Sequence, residues 1–404
     1  MPSDRPDRHW SPFVVATYAL IVLLLGSNVT TPFYPLYARI FGLSPLGITL
    51  LFATYTLLVV PALLLLGPLS DARGRREVLI PAIVLAIVAA VFFAIANAIV
   101  WLFAAQAVQA FALGALQGTA APTLVENDPD GDIRRASAIA SAGTTGGAAL
   151  GPLLAGFLVQ YAPLQRRLSF IVEIALLLIA LVLVRARLPR REHRSSWRPR
   201  RPSVPAPIRR AFAIASVSAF VAWAVTGLFV ALIPSFMADV LHNHDFAVAG
   251  CVVALMLGSS AVVQIAVRRL PSLAAQIAGL VAMLAGVVFL FVATVTSSLA
   301  PLLIATVLSG AGQGGAFMGA LGDVNTIAPP DRKGDVVATF YVVIYLATAL
   351  PVIGVGVLAN SMGLLDAVRI FTIVIAAICL AGLVALTAEA RRSGRVELVA
   401  SAAS

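Results

Sequence analysis

The chain has 404 residues, 60% of them hydrophobic and 11% charged, with a mean hydropathy of +0.98 and a formal charge of +10. A soluble domain carries roughly a quarter charged residues, and its interior cannot hold this much apolar sequence. Soluble enzyme and binding-module classes are therefore excluded. The positive balance does not mark a nucleic-acid partner, because it gathers in short segments between apolar runs.

Twelve such runs follow one another, at about 13–33, 45–67, 78–97, 100–122, 138–160, 168–186, 212–236, 247–267, 273–295, 299–321, 336–358 and 366–387. About 20 apolar residues cross roughly 30 Å of hydrocarbon as a helix. The helix is required because lipid offers no partner for backbone groups. No alternating-polarity barrel pattern is present. The expected fold is an all-α integral membrane protein with 12 transmembrane helices in two six-helix bundles. The bundles are 13–186 and 212–387, with an N-tail at 1–12, a basic linker at 187–211 and a C-tail at 388–404. With both termini cytoplasmic, 24 of the 28 Lys and Arg fall inside, as the positive-inside bias requires. The first run has no small-residue cleavage site and reads as a retained helix. A plasma (inner) membrane location is expected.

Span 1 contains no Asp or Glu, and its deepest polar residue is Asn28. After span 2 comes Gly67-Pro-Leu-Ser-Asp71-Ala-Arg-Gly74-Arg75-Arg76, a short basic turn. Gly74 permits a tight turn, Asp71 can meet a helix N-terminus, and the Arg75 and Arg76 forks can grip carboxylates. In span 4, Gln106, Gln109 and Gln117 fall within about 80° of one helix face, a polar stripe on an apolar helix. Span 5 carries Gly147-x-x-x-Gly151-Pro152-x-x-Ala155-Gly156, a spacing that brings helices close and bends one of them. Glu173 is the carboxylate that falls well inside a span, a position that defaults to function. The alternative is that it pairs with Arg166 or Arg167 at the outer surface.

Residues 185–210 hold ten Arg and five Pro. They read as a solvated linker drawn to anionic headgroups. The halves on either side echo one another: Gly114-Ala-Leu-Gln-Gly118 in span 4 returns as Gly310-Ala-Gly-Gln-Gly314 in span 10. Asp323 closes span 10 as a gate or cap. Tyr341, Tyr345 and Thr348 stripe span 11. With Asn28, Trp223, Gln313 and the span 4 glutamines they can line a cavity of aromatic faces and neutral hydrogen bonds, suited to a largely apolar, neutral or cationic compound. Cys251 and Cys379 read as small core residues. His242-Asn-His244-Asp245 lacks a third partner at fixed spacing, so no metal is expected. No cofactor is expected either, since no Walker loop occurs and the glycines at 310–315 follow no strand.

The loop at 67–76 resembles the signature G-x-L-[SA]-D-[RK]-x-G-R-[RK] of the major facilitator superfamily, with Ala72 in place of the usual base. The span 5 pattern resembles that superfamily's antiporter motif G-x-x-x-G-P-x-x-G-G, with Ala155 for one glycine. A third signature departs: Gln106 stands where proton-coupled relatives often carry Arg, and Ala110 replaces a glycine. The resemblance covers about residues 13–387 and implies a drug:proton antiporter of the 12-helix group, not an enzyme. It implies that the loop latches the halves in the outward-facing state. Asp71 would then face the start of span 11 near Asp335–Ala338, and Arg75 would pair with Glu126. Efflux of a hydrophobic substrate in exchange for protons, with Glu173 as carrier and a monomer in the lipid bilayer, is the leading expectation. An uncoupled or importing facilitator is the alternative.

Overall fold

The computed structural model describes residues 10–190, 196–197 and 199–402. In the first half, α1 (Trp10–Asn28) passes through a 3-10 turn (Thr31–Phe33) into α2 (Tyr34–Phe41). Then come α3 (Pro45–Arg73), α4 (Arg75–Ile95), α5 (Ile99–Gln117), α6 (Ala120–Asn127), α7 (Ile133–Tyr161) and α8 (Leu168–Arg187). The second half holds α9 (Arg209–Ala231), α10 (Ile233–Asp239), α11 (Phe246–Val267), α12 (Ser272–Thr296), α13 (Leu299–Ile327), α14 (Lys333–Met362) and α15 (Leu364–Ala402). Among the described residues there is no strand, and 12 segments are long and apolar enough to cross a membrane.

Several boundaries differ from those read in the sequence. The first crossing runs on to Phe41 because Pro32 and Pro35 each open a new helical segment, where a missing N–H costs nothing. The second half repeats the device: Pro234 opens α10 directly after α9. The basic turn is mostly helix, since α3 continues to Arg73 and only Gly74, with φ 108° and ψ 153°, breaks the chain. A side chain there would be strained. Asp323 does not close its helix, which runs on to Ile327. The last helix continues past residue 387 to Ala402. Loops end in capped helices: Asp132 accepts from the N–H of Arg134 and Arg135, and Asp245 from Ala247 and Val248. Asp245, read in sequence beside two histidines, is thus engaged in capping α11.

Small residues set the helix spacing in both halves. A Cβ at Gly118 of α5 would collide with the Gly67 backbone of α3, and one at Gly314 of α13 would stand 2.6 Å from the Ser260 carbonyl of α11. Packing of α3 on α14 and of α7 on α11 joins the halves. Large apolar side chains such as Val262 and Val384, each 67% exposed, form the outer surface. Cys251 is exposed on that surface, so it is not a core residue; Cys379 is buried. With lipid as the solvent an outward-facing thiol on an apolar helix costs little, which hydropathy alone cannot distinguish from burial.

Candidate functional site

Three groups of residues lie between or beside the halves. The first is at the loop end of the bundle. Arg75 Nη2 and Nε reach Glu126 Oε1 at 2.9 and 3.2 Å, while Nη1 donates to Asp71 Oδ1 at 2.5 Å and Ser70 Oγ at 2.7 Å. The arginine side chain is 12% exposed, so one fork ties α3, α4 and α6 together. Ser70 Oγ in turn donates to Gly118 O at 3.1 Å. Among the described residues Arg76 grips no carboxylate; its Nη1 donates to Leu188 O at 3.1 Å. Arg200 of the linker stands between Asp71 and α14, 3.8 Å from Asp71 Oδ2 and 3.4 Å from Gly334 O. Trp197 Nε1 donates to Leu65 O at 3.0 Å, so at these residues the linker is docked and not merely solvated. Proline-rich sequence hides such docking because it carries no periodicity.

Nearby, Asp128 accepts from Arg135 at 2.7 Å and from the backbone N–H of Asp130 and Asp132. The Arg135 guanidinium holds its carboxyl below the usual carboxylate range. Arg135 also lies 4.6 Å over the Trp10 ring. The loop end of the first half is therefore tightly cross-linked.

The second group is the small-residue seam of α7. A Cβ at Gly147 would stand 2.7 Å from Ile21 O, and one at Gly151 would collide with Leu25 O, so both glycines pack α7 on α1 within one half. Gly156 faces the backbone of Phe246 and Gly250 in α11, and Pro152 O meets Gly250. The motif thus divides its work between an internal contact and the contact between halves. At this end, opposite the loop, Gln160 accepts from the Phe246 N–H at 2.9 Å and Asn360 from the Leu46 N–H at 3.3 Å, so two hydrogen bonds join the halves there. Towards the loop end α5 and α6 share no extended packing with α13 or α14.

The third group occupies the middle of the spans. Gln117 donates to Tyr345 across the halves at 3.3 Å, and Gln106 to Tyr34 at 3.3 Å. Asn28 donates to Ser27 at 3.0 Å. Gln313 accepts from Ser260, which accepts from Gln264 at 3.0 Å. Trp223 sets its ring edgewise against Phe317, 5.6 Å between centroids, and Phe317 and Tyr341 both lie against Phe340. The Trp223 Nε1 and Gln109 Oε1 atoms are buried without a hydrogen-bond partner. Tyr55 lies within electrostatic reach of Tyr345 and near Ser27. It was not singled out in the sequence, although a lone phenol in an apolar span was a usable signal. Asp323, by contrast, accepts from Gln276 at 2.5 Å beside the loop end.

Glu173 is 2% exposed, one and a half turns into α8. Among the described residues no cation lies within ion-pair distance of it. Arg166 instead donates to Ala96 O at 3.0 Å and lies 5.7 Å over the Phe41 ring. A Cβ at Gly26 would collide with Glu173 Oε1 and stand 3.5 Å from Gln109 Nε2. The carboxyl and the amide therefore converge on one glycine of α1. A bare charge in such a place is costly without a partner. A carboxyl that holds a proton, or that meets a cation, removes that cost.

The profile of the Major Facilitator Superfamily matches residues 16–352. Two solved structures of a bacterial homologue of the human lysosomal transporter Spinster share the fold. The chain resembles its inward-facing, occupied form with TM-score 0.73 at 16% identity, over 96% of this chain and 98% of that one. It resembles the inward-facing, unoccupied form with TM-score 0.67 at 16% identity, over 95% and 96%. Among curated protein sequences none matches. With twelve spans in two joined halves and the 67–76 signature in place, the chain belongs to the Major Facilitator Superfamily of membrane transporters, and it is not an enzyme.

Proposed function

We propose that this transporter exports a small, largely hydrophobic, neutral or cationic compound across the plasma membrane in exchange for protons. It works as a monomer with both termini and the Gly67–Arg76 loop on the cytoplasmic side. The observation that carries the reading is Glu173: a carboxyl buried between α8 and α1, with no cation paired to it among the described residues, beside the amide of Gln109, whose oxygen is unpartnered. Such a group is suited to take up a proton in one state of the bundle and release it in another. The mid-span lining supports the cargo class, since Trp223, Phe317, Tyr341, Tyr345 and Tyr55 offer ring faces and the glutamines offer neutral hydrogen bonds. Residues 13–186 rock against 212–387 about the α3–α14 and α7–α11 seams. The Arg75–Asp71–Glu126 cluster stiffens the loop end of the first half through that motion.

A second reading, an uncoupled or importing facilitator, is favoured by Gln106 in place of an arginine in α5 and by the lack of any acid in α1. Proteoliposomes with an imposed pH difference separate the two. Exchange predicts gradient-driven accumulation of a lipophilic dye in wild type and its loss in Glu173→Gln, with downhill dye flux retained. Full gradient-driven transport by Glu173→Gln removes the proton-carrier role, and wild-type flux indifferent to the gradient favours the facilitator.

A further inference from the structure

At the far end, a cavity of about 460 Å³ opens between α2, the end of α4 and the loop before α8. Its wall includes Arg166, Arg167, Gln165 and Tyr37, with Phe93 and Leu164 as apolar flanks. These two arginines belong to the four basic residues that fall outside the cytoplasmic segments in the topology read above, against the bias that governs the other 24. Among the described residues neither forms an ion pair with a carboxylate. Their positions are built: Leu164 holds a left-handed φ of 58°, which turns the chain so that Arg167 precedes α8, and Arg166 is anchored on Ala96 O. No side chain caps the N-terminus of α8, leaving its positive pole available.

An independent observation points to a ligand. Tyr37 is 2% exposed, lines this cavity, and its hydroxyl is buried with no hydrogen-bond partner. Arg166 shares the cavity wall with it. Two guanidinium forks, a helix N-terminus and a spare phenol donor match the oxygens of a phosphate group. The volume exceeds what a small carboxylate fills, and the apolar flanks suit what a phosphate ester carries. We propose that this cavity, apart from the mid-span polar and aromatic residues, is a phosphate-binding site that holds the phosphate of a lipid headgroup or of a soluble anion.

The test uses the full chain in detergent, titrated with phosphatidylglycerol and, separately, with inorganic phosphate. Saturable binding of either is expected. Binding of the lipid alone identifies a headgroup site; binding of inorganic phosphate that competes with the lipid identifies a soluble anion site. Arg166→Gln combined with Arg167→Gln should weaken the bound species by about tenfold or more, as for loss of charge-assisted hydrogen bonds. Tyr37→Phe, which removes a hydroxyl that has no partner in the protein, should fold normally and weaken binding by about threefold. Wild type that binds neither probe overturns the site, as does a folded double variant that binds like wild type. If the double variant does not fold, Tyr37→Phe decides: unchanged affinity overturns the proposal.

Discussion

The two halves solve the same packing problem with different chemistry at their loop ends. In the first, the start of α4 meets the end of α6 through Arg75 and Glu126, with Asp71 sharing the fork. In the second, the corresponding crossing is made one turn deeper by Gln276 of α12 and Asp323 of α13, an amide on a carboxylate. The connection from α11 to α12 carries Arg268 and Arg269 but no acid. What the halves share is the small-residue contact: Gly118 against Gly67 in one, Gly314 against Ser260 in the other. Close approach is thus the shared element, and the charge cluster belongs to one half only. The first half is therefore held at its loop end by paired charges as well as by close contact, the second by close contact and one amide–carboxylate bond.

The largest effect on transport should come from Arg75→Ala. It takes the guanidinium from Glu126 and removes the nearer of the cations beside Asp71, at a cost on the order of 1–2 kcal/mol, discounted for the exposure of both carboxylates; transport should fall by about tenfold. The matching change in the other half, Asp323→Asn, keeps its hydrogen-bonding shape and should leave transport within about twofold. Equal losses in the two variants would break the asymmetry. Next, Gly118→Ala and Gly314→Ala should each destabilise by roughly 1–3 kcal/mol, as overpacking does. Melting temperatures in detergent check this, and a drop confined to one variant would mean that the close contact is not shared.

Acid should act on the first half through Asp128. Its folded carboxyl titrates below the ordinary 3.8 because Arg135 and two backbone N–H groups favour the anion. The stabilisation is therefore complete above that ordinary value and is lost as pH falls through the lowered one. Asp128→Asn should flatten the acid limb of a melting-temperature profile; an unchanged limb would remove the pair from the account. The smallest effect belongs to Arg200→Ala. An exposed pair at 3.8 Å contributes about 0–1 kcal/mol. Its signature is greater accessibility of a cysteine placed at Gly334, and identical labelling rates would show the linker contact to be idle.

Legibility differed from residue to residue for physical reasons. Spans were legible because lipid demands uninterrupted apolar helices, so hydropathy reports them directly. The Arg75–Glu126 pairing was expected from the resemblance, and the two residues meet in the fold. The route from Asp71 to α14 was not legible, because it depends on Arg200 of an aperiodic linker. Burial of Glu173 was one of two alternatives the sequence offered, the other being a pair with Arg166 or Arg167; only the fold decided between them, by turning Arg166 toward Ala96 and Phe41. Cys251 shows the converse, an apolar-span residue whose exposure to lipid leaves no trace in composition.

By itself, then, the amino-acid order determined the twelve crossings, their division into halves and the sites where glycine or proline was needed. Each of those follows from local rules: backbone hydrogen bonding in lipid, helix length and dihedral freedom. Which helix each glycine touches, which polar atoms are left without partners, and which arginines find carboxylates were decided by tertiary structure alone. Those outcomes depend on groups far apart in the chain meeting in a low-dielectric interior, where a few ångströms separate a paired charge from a bare one.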